Sequence, residues 1–90
     1  METKNYQKYM EIKPINKKIK LNIKEVEIMG VPSGNIEEHG VILDFGEDVI
    51  NLKVGQTLFF KAWCIDIVTI GEDKHYFASA DSDGICGVSK

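Results

Sequence analysis

No stretch of this chain approaches the about 20 apolar residues that a membrane-spanning helix needs. No apolar run follows Met1 either, since Glu2-Thr3-Lys4-Asn5 is polar. Neither a secretory leader nor a membrane anchor is expected, and the chain reads as soluble and cytoplasmic. Basic residues are in the minority, 11 Lys and Arg against 14 Asp and Glu, giving a net charge of −3 and a pI of 5.3. A nucleic-acid partner would ordinarily require a strong basic excess, so none is expected. Cysteine is scarce. Cys64 and Cys86 form no Cys-x-x-Cys motif and no framework of four or six. No window has a helical period, no segment repeats and no tract is of low complexity. A phosphate-cradling glycine loop and a nucleophile elbow are both absent.

What is present is alternation. Residues 40–46 read Gly-Val-Ile-Leu-Asp-Phe-Gly, in which Val41, Leu43 and Phe45 alternate with Ile42 and Asp44. Period two predicts a strand with one buried face. Leu58 and Phe60 alternate with Phe59 and Lys61 in a second strand. Between them, Lys53-Val54-Gly55-Gln56 predicts a type II turn, because Gly55 falls where φ must be positive. Further toward the N-terminus, Ile15, Ile19, Leu21 and Ile23 oppose Lys18, Lys20, Asn22 and Lys24 in a strand-like stretch from 11 to 28. Pro14 donates no hydrogen bond, so that end should be an edge or precede the pairing. The phase slips at Glu25, where a bulge or a strand end is expected. Residues 62–70 and 75–78 predict a hairpin around Gly71-Glu72-Asp73-Lys74, and 85–88 a short last strand.

Residues 27–39 read as an irregular loop with two glycines, a proline, a serine and an asparagine. The loop nevertheless carries Ile28, Met29, Val31 and Ile36. Apolar residues in such a loop either tuck under the domain or await a partner. Ninety residues make one domain, taken as 10–90 behind a polar extension at 1–9. The extension reads as a frayed terminus in preference to a strap carrying Tyr6 and Tyr9. A chain of this length buries only roughly 60–65% of its unfolded surface, which favours assembly. The fold expected is all-β, a small, partly open barrel of about five main strands.

The candidate chemistries are thin. Cys64, Cys86, His39 and His75 are zinc-ligand types, but none is spaced as a chelating pair. Two free thiols serving as small apolar residues, and no metal, is the reading taken. Ser79, His75 and Asp81 contain the residue types of a triad without its context. Asp81-Ser82-Asp83-Gly84 fails as a calcium loop, since ligand positions one and twelve fall on Ser79 and Lys90. It reads as a turn closed by Asx side chains. Trp63 and Phe59 could stack bases, yet core packing suits both better. No enzyme and no cofactor are expected.

Taken together, Gly-Val-Ile-x-x-x-Gly at 40–46 and Leu-Lys-Val-Gly-Gln-x-Leu-Phe-Phe at 52–60 resemble the central signature of the GroES-type co-chaperonins. Ile12-Lys13-Pro14-Ile15 with Lys17-Lys18-Ile19-Lys20-Leu21 is similar to that family's opening strand. Gly71-Glu72-Asp73-Lys74-His75-Tyr76-Phe77 and Asp81-Ser82-Asp83 are similar to its closing hairpin and turn. The resemblance runs over about residues 10–88 and implies a homo-oligomeric ring, heptameric in the family's usual form. Such a ring caps a chaperonin whose bound ATP is not held by this chain. It implies a chaperonin-binding loop at Ile28, Met29, Gly30 and Val31, and a subunit interface formed by Ile12 and Lys13 of one copy against Ile85, Cys86, Gly87 and Val88 of the next. Two departures stand out. The loop is shorter than the family's, and residues 47–51 have no room for the roof hairpin, which implies an open-topped ring. A structural or adaptor protein on the same barrel is the alternative reading.

Overall fold

The computed structural model describes residues 12–90. The fold is all-β: β1 (Lys18–Asn22), β2 (Glu25–Ile28), β3 (Val31–Ile36), β4 (His39–Phe45), β5 (Thr57–Phe60), β6 (Asp66–Ile70), β7 (Asp73–Ser79) and β8 (Ile85–Val88). One 3₁₀ turn, Ala62–Cys64, follows β5. Six strands form an antiparallel sheet in the order β6-β7-β1-β4-β5-β8, while β2 and β3 form a separate two-stranded arm. The sheet is not closed into a barrel, because β6 and β8 are its two ends. Among the described residues no helix is long and apolar enough to cross a membrane.

The core lies on one face. Ile19, Leu21 and Ile23 from the first strand region meet Ile42, Leu58, Phe60 and Ala78, and Val49 enters from the β4–β5 connection. Ile19, Ile42, Leu58 and Phe60 are the largest fully buried side chains. Each such burial stabilises by roughly 1.5–3 kcal/mol relative to exposure.

The alternation in β4 needed a decision that periodicity alone left open. Ile42 is buried, whereas Val41 and Leu43 face outward. Lys20 pairs with Asp44 but Leu21 pairs with Ile42, so Leu43 is an extra residue on β4. That bulge shifts the phase by one residue. It lets Ile42 and Phe45, three apart, both address the core cluster.

Several expectations change. The opening strand starts at Lys18, not near residue 11: residues 12–15 are in no strand, and Ile15 is 61% exposed. Pro14 offers no donor, and a turn with Asn16 at φ 54° separates this piece from β1, closed by the Lys18 N–H to the Ile15 carbonyl at 3.0 Å. Six sheet strands stand where about five were expected. Phe59 and Trp63 are not core residues. Phe59 is 45% exposed on the outer face of β5, and Trp63 is 72% exposed on the 3₁₀ turn. Pleat alternation explains Phe59, since its neighbours Leu58 and Phe60 take the inner face. The 53–56 turn forms, with Gly55 at φ 97° and the Gln56 N–H donating to the Lys53 carbonyl at 3.2 Å. The polar extension at 1–9 lies outside the described residues.

Candidate functional site

The segment expected to be an irregular loop is a β-hairpin. Glu25 pairs with Ile36, Glu27 with Pro32 and Ile28 with Val31. Only Met29 and Gly30 lie between the strands, at φ 54° and 79°. Two consecutive positive φ values are the signature of a type I′ turn, whose twist matches that of paired strands. Pro32 is accommodated because β3 is an edge strand of the arm.

The arm carries its own braces. The Ser33 hydroxyl donates to the Val26 carbonyl at 2.6 Å and accepts from the Asn35 N–H at 3.2 Å. Glu25 Oε2 accepts the Gly34 N–H at 3.0 Å, and its Oε1 lies 4.0 Å from Lys74 Nζ on β7. At the base, the Glu37 N–H donates to the Lys24 carbonyl at 2.9 Å. The Glu38 carbonyl accepts from the Phe60 N–H, and Glu38 Oε2 from the Ala62 N–H at 2.8 Å.

At the far end three apolar side chains stand in solvent: Ile28 is 61% exposed, Met29 97% and Val31 63%. Ile28 and Val31 are a direct cross-strand pair, so they share one face. Met29 adopts left-handed backbone, which costs an ordinary L-residue roughly 1–2 kcal/mol.

The residues assigned to a subunit interface lie apart along the chain's two ends. Ile12 is half-buried and Lys13 exposed, both in irregular backbone. Ile85 packs on the core, while Cys86, Gly87 and Val88 are exposed on β8. β8 pairs with β5 on one side, and Cys86 is the extra residue of a bulge between the Phe59–Gly87 and Phe60–Ile85 pairs. Among the described residues no strand pairs with its other side.

The remaining candidates are not brought together. Ser79 and His75 sit four residues apart on β7, about 13 Å along a strand. The Ser79 hydroxyl accepts from Lys18 Nζ at 3.3 Å, and Asp81 faces Lys17 at 3.8 Å. In the 81–84 turn it is Ser82, not an Asx side chain, that closes the backbone: its hydroxyl accepts the Gly84 N–H at 3.1 Å. A hydroxyl two residues back reaches that N–H as an Asx carboxylate would. His39 stacks obliquely on Phe59, with ring centroids 6.2 Å apart. Cys64 packs on Gly84. No group of three or more His, Cys, Asp or Glu side chains gathers among the described residues.

One carboxylate is electrostatically distinct. Glu47 is held below the ordinary carboxylate range, first by its own backbone N–H and then by that of Asn16, against a smaller opposing effect of burial, with Lys13 adding a further pull. Its Oε1 accepts the Asn16 N–H at 2.5 Å. This bond ties the turn before β1 to the connection after β4.

Sequence reasoning missed Glu25 and Ser33 as braces. The signal was a polar pair flanking an apolar quartet, which hairpin pairing converts into cross-strand contacts. It also missed the outward stripe of Val41, Leu43 and Phe59.

The fold and this geometry define a small, open, all-β domain from which an apolar-tipped hairpin projects. No family model matches the chain, and no curated protein matches it.

Proposed function

We propose that this chain is a co-chaperonin, a ring-forming lid that binds an ATP-loaded chaperonin through the arm and assists protein folding. The carrying observation is Met29. It is the most exposed large apolar residue of the described chain, and it occupies a backbone conformation that asparagine or glycine would adopt at lower cost. An exposed apolar side chain on strained backbone marks a candidate for function at that place. Ile28 and Val31 complete an apolar tip of the kind that fills a groove on a partner.

Further support comes from the motifs at 12–21, 40–46, 52–60 and 71–83, and from the side of β8 that no described strand pairs. A head-to-tail contact between copies is heterologous, and a rotation that closes gives a ring. Several weak tips tethered in one ring raise avidity by ~10²–10⁴-fold. The adaptor reading has one observation in its favour: residues 46–56 hold no strand, so a ring of these subunits has no roof.

Mixing the protein with a panel of chaperonins and ATP, then following co-elution, tests the lid. Capture that needs nucleotide is expected, and Ile28→Ser or Val31→Ser should abolish it without unfolding the domain. Native mass spectrometry tests the ring. A clean monomer at micromolar concentration would remove the ring and the lid with it.

A further inference from the structure

We infer that the arm docks as a preformed hairpin, and that Ser33 and Glu25 are positioning residues which keep it in the docking shape. This rests on the lid reading above and adds to it how the tip is delivered. An isolated two-stranded hairpin is marginally stable at best in water. The arm shares no strand pairing with the main sheet, and only its base is tied to the domain, by the Glu37 N–H to the Lys24 carbonyl and by Ile36 against the core. Beyond that base its register is set by three local devices.

The Met29–Gly30 turn fixes the crossover. Ser33 bonds to β2 through the Val26 carbonyl and to its own strand through the Asn35 N–H. Glu25 holds the Gly34 N–H, beside the irregularity where β3 carries more residues than β2. The same carboxylate faces Lys74, which links the arm to β7 of the main sheet. None of the Ser33 and Glu25 bonds is made to Ile28, Met29 or Val31, so these two residues act on docking through the arm's shape.

The consequence is thermodynamic. A partner that accepts only the formed hairpin sees an affinity reduced by the fraction of arms that are formed. Losing one bracing hydrogen bond lowers the ratio of formed to open arms by about fivefold, and the affinity of each arm falls by at most that factor. A ring compounds the loss over its copies. Bracing the arm in advance removes the ordering cost that a floppy segment would meet at the moment of binding.

The test compares wild type with Ser33→Ala, Ser33→Thr and Glu25→Ala. Each is measured by amide hydrogen exchange of the free protein and by ATP-dependent capture on a chaperonin. In wild type the hydrogen-bonded amides of the arm, those of Gly34 and Asn35 among them, should be protected. In Ser33→Ala and Glu25→Ala the arm amides should exchange faster while those of β1 and β4 do not. Capture should weaken in both, by up to about fivefold per arm. Ser33→Thr keeps the hydroxyl and should behave as wild type. Unprotected arm amides in wild type would overturn the inference. So would undiminished capture by Ser33→Ala after its arm has opened, and in both cases the lid reading stands if wild type is captured. Failure of wild type to be captured by any chaperonin overturns the lid reading and this inference together.

Discussion

Cys64 lies so close on Gly84 that a β-carbon added to the glycine would meet the cysteine Cβ at 2.6 Å and its Sγ at 2.7 Å. The two residues belong to the crossing segments that bring the chain from β5 to β6 and from β7 to β8. The Gly84 carbonyl also accepts the Lys61 N–H at 2.8 Å, so the contact cannot open without disturbing a backbone bond. Gly84→Ala should therefore destabilise by about 1–3 kcal/mol, as overpacked sites do. Cys64→Gly in the same chain should recover much of that loss. A double-mutant cycle by urea unfolding reads the coupling, and additive effects would show that the two segments do not press on each other.

The bulge at Leu43 makes a sharp distinction between neighbours. Ile42→Ala should cost about 2–5 kcal/mol, the range for deleting a buried aliphatic. Leu43→Ala, on the outer face, should cost less than about 1 kcal/mol. Equal losses in chemical denaturation would mean that the register of β1 on β4 is wrong.

Met29→Asn separates stability from docking. Asparagine followed by glycine is a preferred pair for this turn. The arm should gain about 1 kcal/mol and its amides should exchange more slowly. Chaperonin capture should nevertheless fall, since the most exposed apolar side chain is gone. A variant that captures as well as wild type would remove Met29 from the docking set.

Glu47 gives the chain an acid limb. Its folded-state pKa is depressed below the ordinary glutamate value of 4.5. The stability that follows is present above that value and is lost as pH falls through the lower, folded-state one. Wild type should thus lose stability with acidification below about pH 4.5 more steeply than Glu47→Gln, which has no proton to take up. Thermal melts of both proteins across pH 3–6 compare the slopes, and parallel curves would refute the assignment.

Much of the sheet was legible because its strands alternate. Ile19, Leu21 and Ile23 announce their buried face, as do Leu58 and Phe60. Gly55 announces its turn. The arm was not legible for a physical reason: its strands bury little, so nothing selects alternation in 25–36, and Pro32 and Gly34 mimic a loop. Hairpin pairing there is set by the two-residue turn and by side-chain bonds at separations of two to nine residues. Phe59 and Trp63 misled for the opposite reason. Large aromatic residues are ordinarily inside, and only the pleat of β5 and the 3₁₀ geometry turn these two outward. The tip at Ile28 to Val31 was visible as apolar residues between turn-formers, but its strained methionine was not.

The β6 end of the sheet bears on how the protein behaves when concentrated. Ile67, Val68 and Ile70, interrupted only by Thr69, lie within a strand that no described strand covers on its outer side. Such a run is a template on which further chains can stack into fibres. Charged gatekeepers bracket it, Asp66 before and Glu72, Asp73 and Lys74 after. Asp66 is in addition anchored 3.7 Å from Lys18. Screening by salt weakens such surface charges, so raising the ionic strength works against the guard on this rim.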